Sequence, residues 1–169
     1  TAYAKDGNAV ASRSSESVQI IALNCLDGRN SPTGLTVFED VIYVVDFDEL
    51  LKVDIELSTI IQRYPAPHEK PALNDVVVTA SGDVFVTGSA SAAIYKIERD
   101  DLVVWKQDAR LLKHANGLYA TDGSLLVGGA QWVGFDIANG DRLDIQDDKL
   151  VEIDGIASDG CRGHILTLI

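Results

Sequence analysis

The sequence predicts an all-β fold, a β-propeller whose four-stranded blades recur about every forty residues. Three observations lead there. Apolar segments rich in Val, Ile, Leu and Tyr are short, in the strand range rather than the helix range. Clusters of Gly, Asn and Asp separate them, as in "ASGD", "ERDD", "TDG" and "ANGD". The pattern also repeats in phase. Thr33 opens "TGLTV", Asn74 opens "NDVVV", Asn116 opens "NGLYA" and Asp154 opens "DGIAS", at spacings of 41, 42 and 38 residues. Strand patterning excludes a helical solenoid, and in-phase repetition excludes an immunoglobulin-like sandwich.

The elements follow in order. Residues 1–30 fit the front of a unit: "TAYA", the turn "KDG", "NAVASRS" and "VQIIALN". The unit 31–70 holds "GLTV", "VIYVVDF", "LLKVDIE" and "IIQRY". The unit 71–112 holds "DVVV", "DVFVTGS", "AAIYKIER" and "LVVWKQ". The unit 113–151 holds "GLYAT", "SLLVGGA", "WVGFDIA" and "RLDIQ". Residues 152–169 give an opening strand, the turn "SDGCRG" and "HILTLI". Three complete units are therefore flanked by two partial ones within one domain, 1–169. The end pieces either share a blade of a four-bladed ring or belong to a larger propeller, and the larger ring is preferred. Open blade edges of this kind invite pairing, so an oligomer completed through them is a further expectation.

Composition narrows the function. The 169 residues suffice to bury roughly 70% of the unfolded surface. A net charge of −12 repels phosphate backbones and anionic membranes, and suits divalent cations or simple solubility. Aromatic residues make up only 7%, too few for a base-stacking platform. No apolar run approaches the roughly 20 residues of a membrane span. Neither a nucleic-acid partner nor a membrane span is expected, and a small-molecule substrate stays open as the partner. Cys25 and Cys161 form no CxxC pair; they lie in the two end pieces and are either a ring-closing disulfide or two separate thiols. The sequence starts at Thr1 with no Met and no readable leader, which leaves a removed leader or a longer parent chain.

In a propeller the first strand of each blade lines the central channel. Thr33, Asn74, Asn116 and Asp154 should therefore meet at one channel mouth. Carboxamide and carboxylate oxygens together form a hard-ligand set for Ca²⁺, Mg²⁺ or Mn²⁺. Such a cation polarises a carbonyl while a carboxylate activates water. The other reading of these residues is local, since Asn116-Gly117 and Asp154-Gly155 are turn-forming pairs.

"LNDVVVTASGDVFVTGS", "HANGLYATDGSLLVGG" and "IDGIASDGCRGHILT" resemble, in that order, motifs of the senescence marker protein/gluconolactonase/luciferin-regenerating-enzyme family, closest to its bacterial, often exported branch. The resemblance covers roughly residues 31–169. It implies a six-bladed propeller with a divalent metal in the channel, Ca²⁺ first, with Mg²⁺, Mn²⁺ or Zn²⁺ as alternatives. It implies Asn116 and Asp154 as metal ligands, Asp154 also as catalytic base, and Asn74 as a substrate-binding residue. His114, two residues before Asn116, reads either as a second substrate-side residue and secondary proton carrier at the channel mouth or as a residue that only packs or caps the loop. The activity implied is a gluconolactonase-like metal-dependent hydrolase opening a lactone or related ester, and the branch suggests an exported or periplasmic protein. The chain departs from the family where the opening-blade metal Glu would stand, because Thr33 holds that phase. That departure keeps open the alternative of a non-catalytic, NHL-like propeller that binds a protein or small ligand.

Other chemistry finds no motif. HExxH, GxGxxG, Walker-type and GxSxG patterns are all absent from the sequence. His68 in "APHEKP" reads as a solvent-exposed loop residue, and Asp46 and Asp48 as a solvated turn. Trp105 reads as core, and Trp132 as either a pocket wall or packing.

Overall fold

The computed structural model describes residues 2–5, 8–14, 17–21, 32–145, 151–158 and 164–168. No helix occurs among them, and every strand pairing is antiparallel between chain neighbours. Strands β1 (Ala2–Lys5), β2 (Asn8–Ser14) and β3 (Ser17–Ile21) form a three-stranded sheet. The first complete blade is β4 (Leu35–Phe38), β5 (Val41–Asp46), β6 (Glu49–Asp54) and β7 (Thr59–Pro65). The second is β8 (Leu73–Val78), β9 (Val84–Gly88), β10 (Ala93–Glu98) and β11 (Asp101–Gln107). The third is β12 (Leu118–Ala120), β13 (Ser124–Val127), β14 (Val133–Asp136) and β15 (Arg142–Leu143). A two-stranded sheet, β16 (Ile153–Ser158) with β17 (His164–Leu168), follows. Successive four-stranded meanders of this kind are propeller blades.

The apolar runs form strands buried on both faces because each blade is sandwiched between neighbours. Along β5, Tyr43 and Val45 face a core shared with the second blade, where they join Leu73, Val76, Val86 and Tyr95. Ile42 and Val44 alternate onto the opposite face with Leu51, Val53 and Ile55. The second blade repeats this arrangement. Phe85 and Ile94 point away from the first blade into a core with Leu118, Leu125, Val127 and Phe135 of the third. The period of two therefore distributes one strand between two cores. The first strands β4, β8, β12 and β16 contact one another in series, which places them innermost.

Several residues depart from expectation. Within the described part of the "RLDIQ" run, Arg142 and Leu143 pair with β14, and the Ile145 amide turns back to the Leu143 carbonyl at 2.9 Å. Asp46 is not solvated: it is 1% exposed, and its Oδ1 accepts the Phe47 amide at 2.9 Å. Asp48 is exposed. His68 is half-buried rather than solvent-exposed. Its Nδ1 lies 2.8 Å from the Tyr95 hydroxyl and its Nε2 lies 3.2 Å from Gln107 Nε2. Trp105 packs edge-on against Phe85 and Phe135, as core. Trp132 is half-buried. Cys25 and Cys161, and with them the disulfide expectation, lie outside the described residues.

Candidate functional site at the channel mouth

The four in-phase positions sit where innermost strands begin, and the chain reaches three of them through the same unusual backbone. Ala72, His114 and Glu152 adopt φ values of 46°, 54° and 54°. Each stands two residues before its in-phase residue, Asn74, Asn116 or Asp154. The left-handed kink redirects the chain from the blade's outer edge onto the channel.

Glycine then lets neighbouring strands close up. A Cβ on Gly117 would lie 2.6 Å from the Asp154 carbonyl oxygen and 2.8 Å from Gly155 Cα. A Cβ on Gly34 would lie 2.6 Å from the Asn74 carbonyl oxygen. Only a residue without a side chain permits this approach.

The approach brings two expected site residues together. Asn116 Nδ2 donates to Asp154 Oδ1 at 2.9 Å, across 38 residues of sequence. Asp154 is exposed and Asn116 half-buried. Asn74 is half-buried at the head of the second blade, with its carbonyl against Gly34. His114 is exposed on the loop leading to Asn116. Thr33 is exposed, and its hydroxyl donates to the Leu73 carbonyl at 3.2 Å, tying the first blade to the second.

Sequence reasoning missed Asp75. Its Oδ1 accepts the Val76 amide at 2.8 Å, and its Oδ2 accepts the Leu118 amide of the third blade, also at 2.8 Å. Burial pushes its pKa from 3.8 up to about 6; the two amides pull it down, and the charge of Asp154 adds to the rise. One signal was present. In the repeats this position reads Gly34, Asp75, Gly117 and Gly155, so an acid interrupts a column of glycines.

With Asn116 Nδ2 and Asp154 Oδ1 engaged with each other, Asn116 Oδ1 and Asp154 Oδ2 are the oxygens left to face a cation. Both are hard donors of the kind divalent ions take, and two protein oxygens suit an ion that keeps most of its water. Among the described residues no group of three or more His, Cys, Asp or Glu gathers as a metal site. Cavities among the described residues lie elsewhere. One of about 420 Å³ is lined by Asp48, Glu49, Pro65, Ala66, His68 and Glu69. One of about 180 Å³ lies between the turns at Thr79–Ser81 and Thr121–Asp122.

Neither a protein-family model nor a curated protein matches the chain. Solved structures do. A catalytically inactive virginiamycin B lyase from Staphylococcus aureus with quinupristin matches at 12% identity and TM-score 0.71, over 89% of this chain and 52% of that one. The β-propeller domain of Myceliophteria thermophila Cps50 (Swd1) matches at 13% identity and TM-score 0.65, over 92% and 59%. A chain of the mitotic checkpoint complex matches at 14% identity and TM-score 0.73, over 93% and 50%. At such identities the likeness shows the fold alone. The fold is a β-propeller. The chain spans about half the length of the virginiamycin B lyase structures it matches.

Proposed function

We propose that this propeller carries the working face of a gluconolactonase-like hydrolase, opening a lactone or related ester with the help of a divalent cation. The supporting observation is the Asn116–Asp154 pair, a carboxamide and a carboxylate joined at 2.9 Å between neighbouring innermost strands. Asn116 and Asp154 would hold the cation, which supplies polarisation of the substrate carbonyl. Two protein oxygens favour Mg²⁺ or Mn²⁺, which keep water, over Ca²⁺, which takes 6–8 oxygen ligands.

The chain's own residues do the rest. Asn116 orients Asp154 by donating to Oδ1, and the Asp154 carboxylate takes the proton from an attacking water. The water oxygen bonds to the carbonyl carbon, the ring C–O bond breaks, and the proton passes to the departing alkoxide. Asn74 would hydrogen-bond the substrate from the second blade, and His114 would contact it from the exposed loop.

The mutual satisfaction of Asn116 and Asp154 also favours a second reading, a non-catalytic NHL-like propeller in which the pair pins two blades together. Calorimetric titration of metal-stripped protein with Mn²⁺, Mg²⁺ and Ca²⁺, beside Asp154→Ala, separates the two. The hydrolase reading expects binding in the micromolar range that vanishes in the variant, followed by turnover in a lactone screen. No heat with any cation and no turnover would leave the binding propeller.

A further inference from the structure

We propose that Asp75 is the positioning residue of the Asn116–Asp154 pair, acting with Thr87 and Ser89 to hold Asn116 in place from the neighbouring blade. The inference rests on reading Asn116 and Asp154 as the working pair, and it adds the device that sets their geometry.

Different blade interfaces are built differently at this level. Gly34 of the first blade abuts the second through backbone, with Asp75 Cα 2.7 Å from where a Gly34 Cβ would stand. Gly117 of the third blade abuts Asp154 and Gly155 in the same way. Between the second and third blades the glycine is replaced, and a carboxylate spans the gap to the Leu118 amide. Two hydroxyls join it. Thr87 Oγ1 donates to the Asn116 carbonyl at 2.6 Å and accepts the Asp75 amide at 3.1 Å. Ser89 Oγ donates to the Ala115 carbonyl at 2.6 Å.

Asn116 is thereby fixed on each side of its side chain. Its carbonyl is held by Thr87, the preceding carbonyl by Ser89, and the amide two residues on by Asp75. Its own amide donates to the Gly128 carbonyl at 2.9 Å within the third blade. Thr87 is fully buried, so its hydroxyl has no water to exchange with. A side chain that must meet a partner on another blade gains accuracy when its backbone is held on both flanks. A plain glycine at position 75 would pack the strands but leave the Leu118 amide without this acceptor.

The test reads the position of Asn116 directly. Asp75→Gly installs the residue of the other repeats, Thr87→Val removes the hydroxyl, and Thr87→Ser restores it. Side-chain amide NMR signals of Asn116 are followed in metal-free protein, with those of Asn139 in the outer turn of the third blade as the internal reference. The Asn116 signals should move in Asp75→Gly and Thr87→Val, return towards native in Thr87→Ser, and leave Asn139 unaffected. In Asp75→Gly and Thr87→Val, Mn²⁺ affinity should weaken by about tenfold. Unchanged Asn116 signals in a folded Asp75→Gly protein would overturn the proposal, as would equal movement of both asparagines. If Asp75→Gly does not fold, Asp75→Asn with Thr87→Val carries the same comparison. Failure of the unaltered protein to bind Mn²⁺ would defeat the hydrolase reading alone, because the amide comparison needs no metal.

Discussion

Asp75 on β8 and Asp154 on β16 lie on either side of β12 at the channel, and their surroundings differ. Asp154 is exposed at the mouth, whereas the Asp75 carboxyl is enclosed between strands with two backbone amides for company. Burial dominates at Asp75 and lifts its pKa from 3.8 to about 6. A raised folded-state value means the native chain binds this proton more tightly than the unfolded chain does. Its contribution to stability is fully present below pH 3.8 and is lost as pH rises through about 6. The upper bound of that loss is about 3 kcal/mol. Urea midpoints of the native protein and Asp75→Asn, compared between pH 4 and 7, should therefore converge or cross as pH rises. Parallel curves would refute the assignment, because the other carboxylates are common to both proteins and cancel. The in-phase ring was legible in the sequence through Asn116 and Asp154. Asp75 was not, because its decisive partner, the Leu118 amide, lies 43 residues away and a backbone group leaves no mark in side-chain patterning.

At the scale of the strand, legibility follows the physics of each segment. The runs "VIYVVDF", "DVFVTGS" and "SLLVGGA" became β5, β9 and β13 because short apolar runs bounded by turn formers, β-branched in the first two, leave little alternative. The loops before the innermost strands were illegible, since Ala72, His114 and Glu152 take left-handed φ values that none of these residue types advertises. Tertiary demand sets them: the Leu73 amide reaches the Phe47 carbonyl of the preceding blade, and the Ile153 amide reaches that of Gly129, both at 2.9 Å. Holding an alanine left-handed costs roughly 1–2 kcal/mol, and glycine would offset that with roughly 0.5–1 kcal/mol of extra chain entropy. Ala72→Gly should thus stabilise the protein by about 0.5–1 kcal/mol in denaturant unfolding. A loss of stability would show that the kink is not strained. Asp46 was misread as solvated for a related reason. Its carboxylate is buried by the turn it caps, where the sequence shows only an acid beside a second acid.

Across the whole molecule, stability is a chain of blade-to-blade contacts, because each blade buries its faces only against its neighbours. The join between the second and third blades combines the Asp75, Thr87 and Ser89 bonds at the channel with an aromatic train further out. Trp105 lies 5.1 Å from Phe85 of its own blade and 5.9 Å from Phe135 of the next, edge-on to both, with Lys106 over its ring. The join between the first and second blades has a separate core around Tyr43, Val45, Val86 and Tyr95, which Trp105 does not enter. Trp105→Ala should cost about 3 kcal/mol, at the low end for a Trp truncation because the ring is only partly buried. The loss should also be uneven. Amides of Leu125–Val127 in the third blade should exchange with solvent at a lower opening energy than before. Those of Ile42–Val45 in the first should fall less, since their core is untouched. Native-state hydrogen exchange on the variant distinguishes this from a single cooperative unit, in which protection would drop by the same amount in both blades. A uniform drop would mean that the blades melt together. An uneven one would mean that the Asn116–Asp154 pair depends on the third blade keeping its place beside the second.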